Sequence, residues 1–209
     1  MSDLTRLLSQ NQDRCRRVLN GGLRSLRLGE ISGSLEHAPQ QLIFPGAFNP
    51  LHDGHVRMAT LARIRMGRPV EFEMAVVNVD KPSLSYDQIE QRVAHFPMGQ
   101  ALWLTRASTF VEKSLLFPAA TFVVGADTVT RICDPEYYGN GDEGVTAAVA
   151  TLARRKCRFL VFGRADGDQF QTLDTLKLPA AMRRLCQGVD EDEFRNDVSS
   201  TQIRAASEA

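Results

Sequence analysis

Tryptophan is nearly missing from this chain: Trp103 is the single one in 209 residues, and aromatic residues together make up 7%. That leaves no aromatic-plus-basic platform of the kind that stacks on single-stranded bases. An excess of either charge is lacking as well, since 25 basic residues face 25 acidic ones. A neutral chain does not carry the basic surplus of a dedicated nucleic-acid or anionic-membrane binder. No apolar run approaches the roughly 18 residues that a membrane-spanning helix needs. The start, Met1-Ser2-Asp3-Leu4-Thr5-Arg6, has no signal-peptide apolar segment. Cysteine is sparse, and Cys15, Cys133, Cys157 and Cys186 form no C-x-x-C pair. This spacing argues against a zinc site and a disulfide framework, and it leads us to expect reduced thiols in a cytoplasm.

What is present is an ordinary globular composition, 43% apolar and 24% charged. The length suits one well-buried domain better than two. We expect an N-terminal helical extension over residues 1–40 and one α/β domain over residues 41–209. Residues 4–19 carry Leu4, Leu7, Leu8, Cys15, Val18 and Leu19 near one helical face, and Gly21-Gly22 would end that helix. Six arginines against two aspartates make residues 1–29 basic. Such a stretch reads as a solvated helix docked on the main domain, or as an arm touching phosphates or a partner subunit. A homo-oligomer stays open.

From residue 41 short apolar runs alternate with helical patterns. Strands are expected at residues 42–44, 72–79, 101–104, 120–124 and 159–162, with helices at 54–66, 86–96, 108–116 and 143–155. Near-continuous apolar strands separated by helices indicate a Rossmann-like, doubly wound parallel sheet with helices on both faces. Ligands in such folds sit at the carboxyl ends of strands.

The residues that follow the first strand are Gly46-Ala47-Phe48-Asn49-Pro50-Leu51-His52-Asp53-Gly54-His55. Gly46 allows an unusual backbone angle or a close approach to a ligand. Gly54 and His55 open a helix whose first amides favour an anion. Two imidazoles three residues apart add donors for phosphate oxygens; they also read as a satisfied pair in a tight turn. The segment resembles the G-x-F-[DN]-P-x-H-x-G-H signature of the nucleotidylyltransferase superfamily.

A second match lies near the C-terminus. Asp197-Val198-Ser199-Ser200-Thr201-Gln202-Ile203-Arg204 resembles the I-S-S-T-x-I-R motif of the nicotinamide and nicotinate mononucleotide adenylyltransferases, with Val in place of the first Ile. Ser199 or Ser200 can cap a short helix that presents amides and hydroxyls to an anion, and Arg204 can add a fork to a phosphate. Gly125-Ala126-Asp127 resembles the family's G-x-D turn, whose glycine and aspartate line the nucleotide pocket. Lys81 looks like the family's loop lysine, ahead of a helix with an internal arginine, here Arg92. Arg164 sits where family members place a further phosphate or ribose contact. One departure is the stacking tryptophan that many such enzymes carry after the G-x-D turn. Trp103 lies elsewhere, which leaves Tyr137 or Tyr138 to stack.

The resemblance covers residues 41–207. It implies AMP transfer from ATP to a phosphate-bearing acceptor, nicotinamide or nicotinate mononucleotide, with release of pyrophosphate. It implies His52, His55, Lys81 and Arg204 as catalytic residues. Gly46, Ala47, Phe48, Asn49, Gly54, Gly125, Asp127, Arg164, Ser199, Ser200 and Thr201 would bind nucleotide. Asn49, Tyr137 and Tyr138 would face the acceptor. Mg²⁺ would be held mainly through ATP phosphates, with no protein metal site. Competing readings are a cytidylyltransferase acting on a phospho-alcohol, whose R-[TS]-x-G-I-S-T-[TS] ending is absent here, and a catalytically silent nucleotide-binding regulator. An RNA-binding module built on the basic N-terminal helix is opposed by the neutral charge.

Overall fold

The computed structural model describes residues 2–29, 40–79, 82–138, 140–166 and 169–195. Lys81, Ser199, Ser200, Thr201 and Arg204 therefore lie outside the described residues. In chain order the strands are β1 (Ser25–Leu28), β2 (Leu42–Pro45), β3 (Val70–Ala75), β4 (Leu102–Thr105), β5 (Thr121–Gly125), β6 (Arg158–Phe162), β7 (Arg164–Asp166), β8 (Gln169–Gln171) and β9 (Cys186–Val189). The helices are α1 (Asp3–Gln10), α2 (Gln12–Leu19), α3 (Asp53–Met66), α4 (Tyr86–Val93), α5 (Phe110–Leu116), α6 (Ala126–Ile132), α7 (Gly141–Arg154) and α8 (Ala180–Arg183). Seven strands form a mostly parallel sheet in the order β1-β4-β3-β2-β5-β6-β9, and β7 and β8 make a separate hairpin. This is the Rossmann-like α/β architecture expected from the alternating pattern. The described residues divide into two compact units, one holding residues 2–29, 43–79 and 82–109, the other residues 40–42, 110–138, 140–166 and 169–195.

In the first unit β3 and β4 run parallel, with Phe72 opposite Leu102 and Ala75 opposite Thr105. β1 adds antiparallel to β4. Strand periodicity puts Phe72 and Met74 on one face of β3 and Glu71 and Glu73 on the other. Both carboxylates are buried and both are bonded. Glu71 Oε2 accepts from Arg27 Nε at 2.8 Å and from Trp103 Nε1 at 2.9 Å. Glu73 accepts the Thr105 hydroxyl. The only tryptophan is thus a member of a sheet-face network, and burial of these charges is offset by charge-assisted bonds. On the apolar side α1 and α2 pack against β1 and α4, enclosing Leu4, Leu8, Cys15, Val18, Leu26, Leu28, Ile89 and Val93. Each such side chain contributes roughly 1.5–3 kcal/mol by leaving water.

In the second unit β5, β6 and β9 run parallel. Phe110, Phe122 and Phe159 meet with ring centroids 5.2–5.6 Å apart. Arg155 Nη1 donates to the Val111 carbonyl at 2.8 Å and to Ser114 Oγ at 2.7 Å, tying the end of α7 to α5.

Several expectations need correction. The single helix over residues 4–19 is two helices, because Asn11 leaves helical geometry and its Nδ2 donates to the Leu7 carbonyl at 2.9 Å. An asparagine side chain competes with the helix ladder in this way. Gly21 does end α2, with φ +84°. The N-terminal stretch also supplies β1, a four-residue strand alternating Leu26 and Leu28 inward with Ser25 and Arg27. The strand expected at 72–79 starts and stops earlier, at Val70 and Ala75. The helix expected at 86–96 ends at Val93, and its tail tightens through bonds from His95 N to Arg92 O and Phe96 N to Val93 O.

Candidate active site

The loop joining β2 to α3 is held at three points. Gly46 N–H donates to the Glu73 carbonyl of β3 at 2.9 Å. Arg92 Nη1, on α4, donates to the Ala47 carbonyl at 3.0 Å. The Phe48 ring is 1% exposed and meets the rings of Phe44, Phe72, Phe96 and His55 edge-on, at centroid distances of 5.2–5.6 Å. Phe48 adopts φ +43°, a left-handed conformation costly for a bulky side chain. The aromatic cluster compensates for that strain. Gly46 was expected to admit an odd backbone angle or a ligand. The odd angle is not there, since its φ is not positive; a Cβ there would lie 2.6 Å from Phe48 Cζ. The missing side chain makes room for the Phe48 ring.

The loop delivers Asn49, exposed at its tip, and then His52, which caps α3. His52 N–H donates to His55 Nδ1 at 3.3 Å, and the two rings lie 3.8 Å apart at 34°. Because Nδ1 of His55 accepts, its neutral ring carries the proton on Nε2, which makes Nε2 a donor. Gly54, in the first turn of α3, is buried. The opening of α3 combines backbone amides, the positive end of the helix dipole and this imidazole pair. Such an arrangement suits the oxygens of a phosphate chain.

The G-x-D turn follows β5 directly. Gly125 caps α6, and a Cβ on it would lie 2.6 Å from Asp127 Oδ1, so the carboxylate folds back over the glycine. Asp127 Oδ2 accepts from Arg164 Nη1 at 3.0 Å, with both side chains 47% exposed. The structure thus brings together two residues that the sequence singled out separately. An exposed pair of this kind is worth at most about 1 kcal/mol, so a ligand can compete for either partner.

Tyr137 is half-buried in a 3-10 turn, Pro135–Tyr137. The Tyr138 hydroxyl donates to the Ile132 carbonyl at 2.8 Å, and its Cβ rests where a side chain on Gly144 would be. Burial pushes its phenol above the usual value. Tyr138 therefore fastens the end of α6 to α7. Among the described residues no group of three or more His, Cys, Asp or Glu side chains is arranged to hold a metal ion. No helix among them is long and apolar enough to cross a membrane.

Sequence reasoning missed Phe44, Phe72 and Phe96, which seat Phe48, and the Glu73 carbonyl that receives Gly46. Nothing local marks them, since they come from β2, β3 and the turn after α4.

The family model described as cytidylyltransferase-like matches residues 43–206, a span that runs from β2 to beyond Arg204. The chain belongs to the cytidylyltransferase-like family. No curated protein matches it. For this cytidylyltransferase-like chain the reaction class is nucleotidylyl transfer, on a nucleotide and a phosphate-bearing substrate. Its two matched segments already described, the loop into α3 and the G-x-D turn, each begin at the carboxyl end of a strand, where α/β sheets place their ligands.

Proposed function

We propose that the chain transfers AMP from ATP to nicotinamide or nicotinate mononucleotide, releasing pyrophosphate. The observation that carries this reading is the His52–His55 pair at the opening of α3, with Nε2 of His55 set as a donor. The choice of branch rests on the Ser199-Ser200-Thr201-x-x-Arg204 segment of the sequence.

A phosphate monoester on the acceptor is already a competent nucleophile, so it attacks the α-phosphorus in line without a covalent enzyme intermediate. Catalysis then consists of alignment and of stabilising charge on the departing pyrophosphate. His52 and His55 donate to the triphosphate. Ser199, Ser200, Thr201 and Arg204 hold its β- and γ-phosphates, and Lys81 neutralises the acceptor side. Asn49, at the loop tip, orients the acceptor phosphate. Gly125, Asp127 and Arg164 take the nucleotide, with the Asp127–Arg164 pair opening to admit it. Because the Tyr138 hydroxyl is committed to Ile132, Tyr137 is the better of the two rings for stacking on the acceptor's pyridine. Magnesium arrives with the triphosphate as part of the substrate. Four free thiols accord with a reducing cytoplasm.

The test is product analysis by chromatography and mass. Purified protein is incubated with Mg²⁺, ATP and each mononucleotide in turn, with CTP as a parallel donor. A dinucleotide from ATP supports the reading and names the acceptor. Turnover with CTP and a phospho-alcohol alone, or nucleotide binding without turnover, overturns it.

A further inference from the structure

Arg92 is not part of the chemistry above, yet its guanidinium reaches from α4 to the main chain of the loop that leads into His52 and His55. The loop has little regular structure of its own to hold it. Between Pro45 and His52 it makes no helix or strand, and of its two buried side chains, Phe48 and Leu51, Phe48 sits in a strained conformation. Such a segment keeps one shape only if outside groups over-determine it.

α4 and the turn that follows it supply two of those groups. The helix is itself rigidly placed. Ser85 and Gln88 form a capping box at its start, with Ser85 N–H donating to Gln88 Oε1 at 2.9 Å and Gln88 N–H to Ser85 Oγ at 3.2 Å. Ile89 and Val93 are fully buried. From this base Phe96, three residues past the helix end, meets the Phe48 ring edge-on at 5.4 Å. Arg92 meets the Ala47 carbonyl at 3.0 Å. The Ala47–Phe48 peptide is planar and trans, so fixing that carbonyl also fixes the Phe48 N–H, which points the opposite way. A ring alone would anchor the loop but leave this peptide free to rotate. A charge-assisted bond to the carbonyl removes that freedom.

We propose that Arg92 is a positioning residue for nucleotide binding: it holds the Ala47–Phe48 peptide of the phosphate-facing loop in one orientation, and so couples α4, which follows Lys81 in the chain, to the segment that places His52 and His55. The inference rests on the nucleotidylyl-transfer reading for its functional half. Its structural half is independent of any substrate.

The experiment separates the two. Hydrogen–deuterium exchange is followed by mass spectrometry on substrate-free wild type, Arg92→Met and Arg92→Lys, reading the peptide over residues 46–52 against β3 and α7 as internal controls. Arg92→Met is expected to speed exchange in 46–52 about tenfold, the equivalent of one lost charge-assisted bond, with the controls unchanged. Arg92→Lys keeps a donor and restores protection in part. With ATP and the acceptor that wild type uses, Arg92→Met is expected to raise the KM for ATP about tenfold while kcat falls less than threefold, with Arg92→Lys in between. Unchanged exchange over 46–52 in a folded Arg92→Met protein overturns the proposal, whatever the activity does. An equal loss in kcat and kcat/KM without a change in exchange also overturns it, because Arg92 would then be touching the transition state. If wild type transfers no nucleotide at all but Arg92→Met still loosens 46–52, the transfer reading fails and the positioning role stands. Should Arg92→Met fail to fold, Arg92→Lys and Arg92→Gln carry the same exchange comparison.

Discussion

Gly46→Ala tests whether the glycine that opens the loop between β2 and α3 serves the protein core or the ligand. A methyl group added there would sit 2.6 Å from Cζ and 2.7 Å from Cε1 of Phe48, well inside van der Waals contact. The ring has nowhere to go, because Phe44, Phe72, Phe96 and His55 surround it and it is 1% exposed. Overpacking of this kind costs about 1–3 kcal/mol. For a chain of this size that is a fall in Tm of roughly 2–4 °C for each kcal/mol. The clash atoms all belong to the outer part of the Phe48 ring, which leucine lacks. In a Phe48→Leu background Gly46→Ala should therefore cost within about 0.5 kcal/mol of zero, giving a coupling of ~1–3 kcal/mol between the two sites. Denaturant titration of the four proteins measures the cycle. Additive costs refute the reasoning. So does a Gly46→Ala protein of wild-type stability that has lost nucleotide affinity, for then the space over Gly46 belongs to the ligand.

His55→Ala should lower turnover at least a hundredfold, the range seen when a positioned donor is removed, with Tm changed by only a few degrees; turnover assays beside thermal melts check this, and wild-type turnover would dismiss the site. Tyr138→Phe removes the bond to Ile132 O and should cost about 1 kcal/mol in a denaturant titration; an unchanged stability would dismiss the fastening role. Burial raises the Cys133 thiol to about 11 and the Cys186 thiol to about 12, against 9.0 when exposed. The folded state holds these protons more tightly, so their contribution to stability is fully present below pH 9 and is lost as pH rises from 9 towards 12. Alkaline melts should show that decline, reduced in Cys186→Ala, and both thiols should resist alkylation at pH 8. Trp103 fluorescence should not respond to saturating mononucleotide, since its indole N–H is bonded to Glu71 in the sheet, but it should shift in Arg27→Met.

The fold class was legible because buried parallel strands read as apolar runs, and β2, β4, β5 and β6 fell within two residues of their expected places. β1, β9 and the β7–β8 hairpin were not. Each is three or four residues long, and Cys186–Val189 carries Gln187 and Gly188 where a run of branched side chains would have signalled a strand. Such strands exist because a neighbour offers its edge, as β6 does for β9, and that is tertiary information. Asn11 shows the opposite limit. The apolar stripe continues through it, and the break shows only in its backbone angles, φ −112° and ψ 25°, and its side-chain bond to Leu7 O. Of the candidate site residues, His52, His55, Asp127 and Arg164 follow strands as the sequence pattern expected. The Asp127–Arg164 bond was not readable, since it joins residues 37 apart.

Gly46 and Phe48 carry the lesson furthest. A motif match assigns both to nucleotide binding, yet each has a complete explanation inside the protein: the glycine yields space to the ring, and the ring fills the space beside His55. The two accounts are compatible if the ring is the means by which the loop is shaped. Phe48 would then act on the nucleotide only through where it holds its own backbone and the His55 imidazole, 5.2 Å away. A side chain acting that way tolerates a change of size badly and a change of polarity worse. Phe48→Tyr, which adds a hydroxyl to a buried ring edge, should therefore lose stability by roughly 1–3 kcal/mol and lose nucleotide affinity together with it. Phe48→Leu should lose affinity chiefly through looser His55 placement, with hydrogen exchange over residues 46–55 rising in step. Affinity lost in Phe48→Tyr without lost stability would mean that the ring touches the ligand itself.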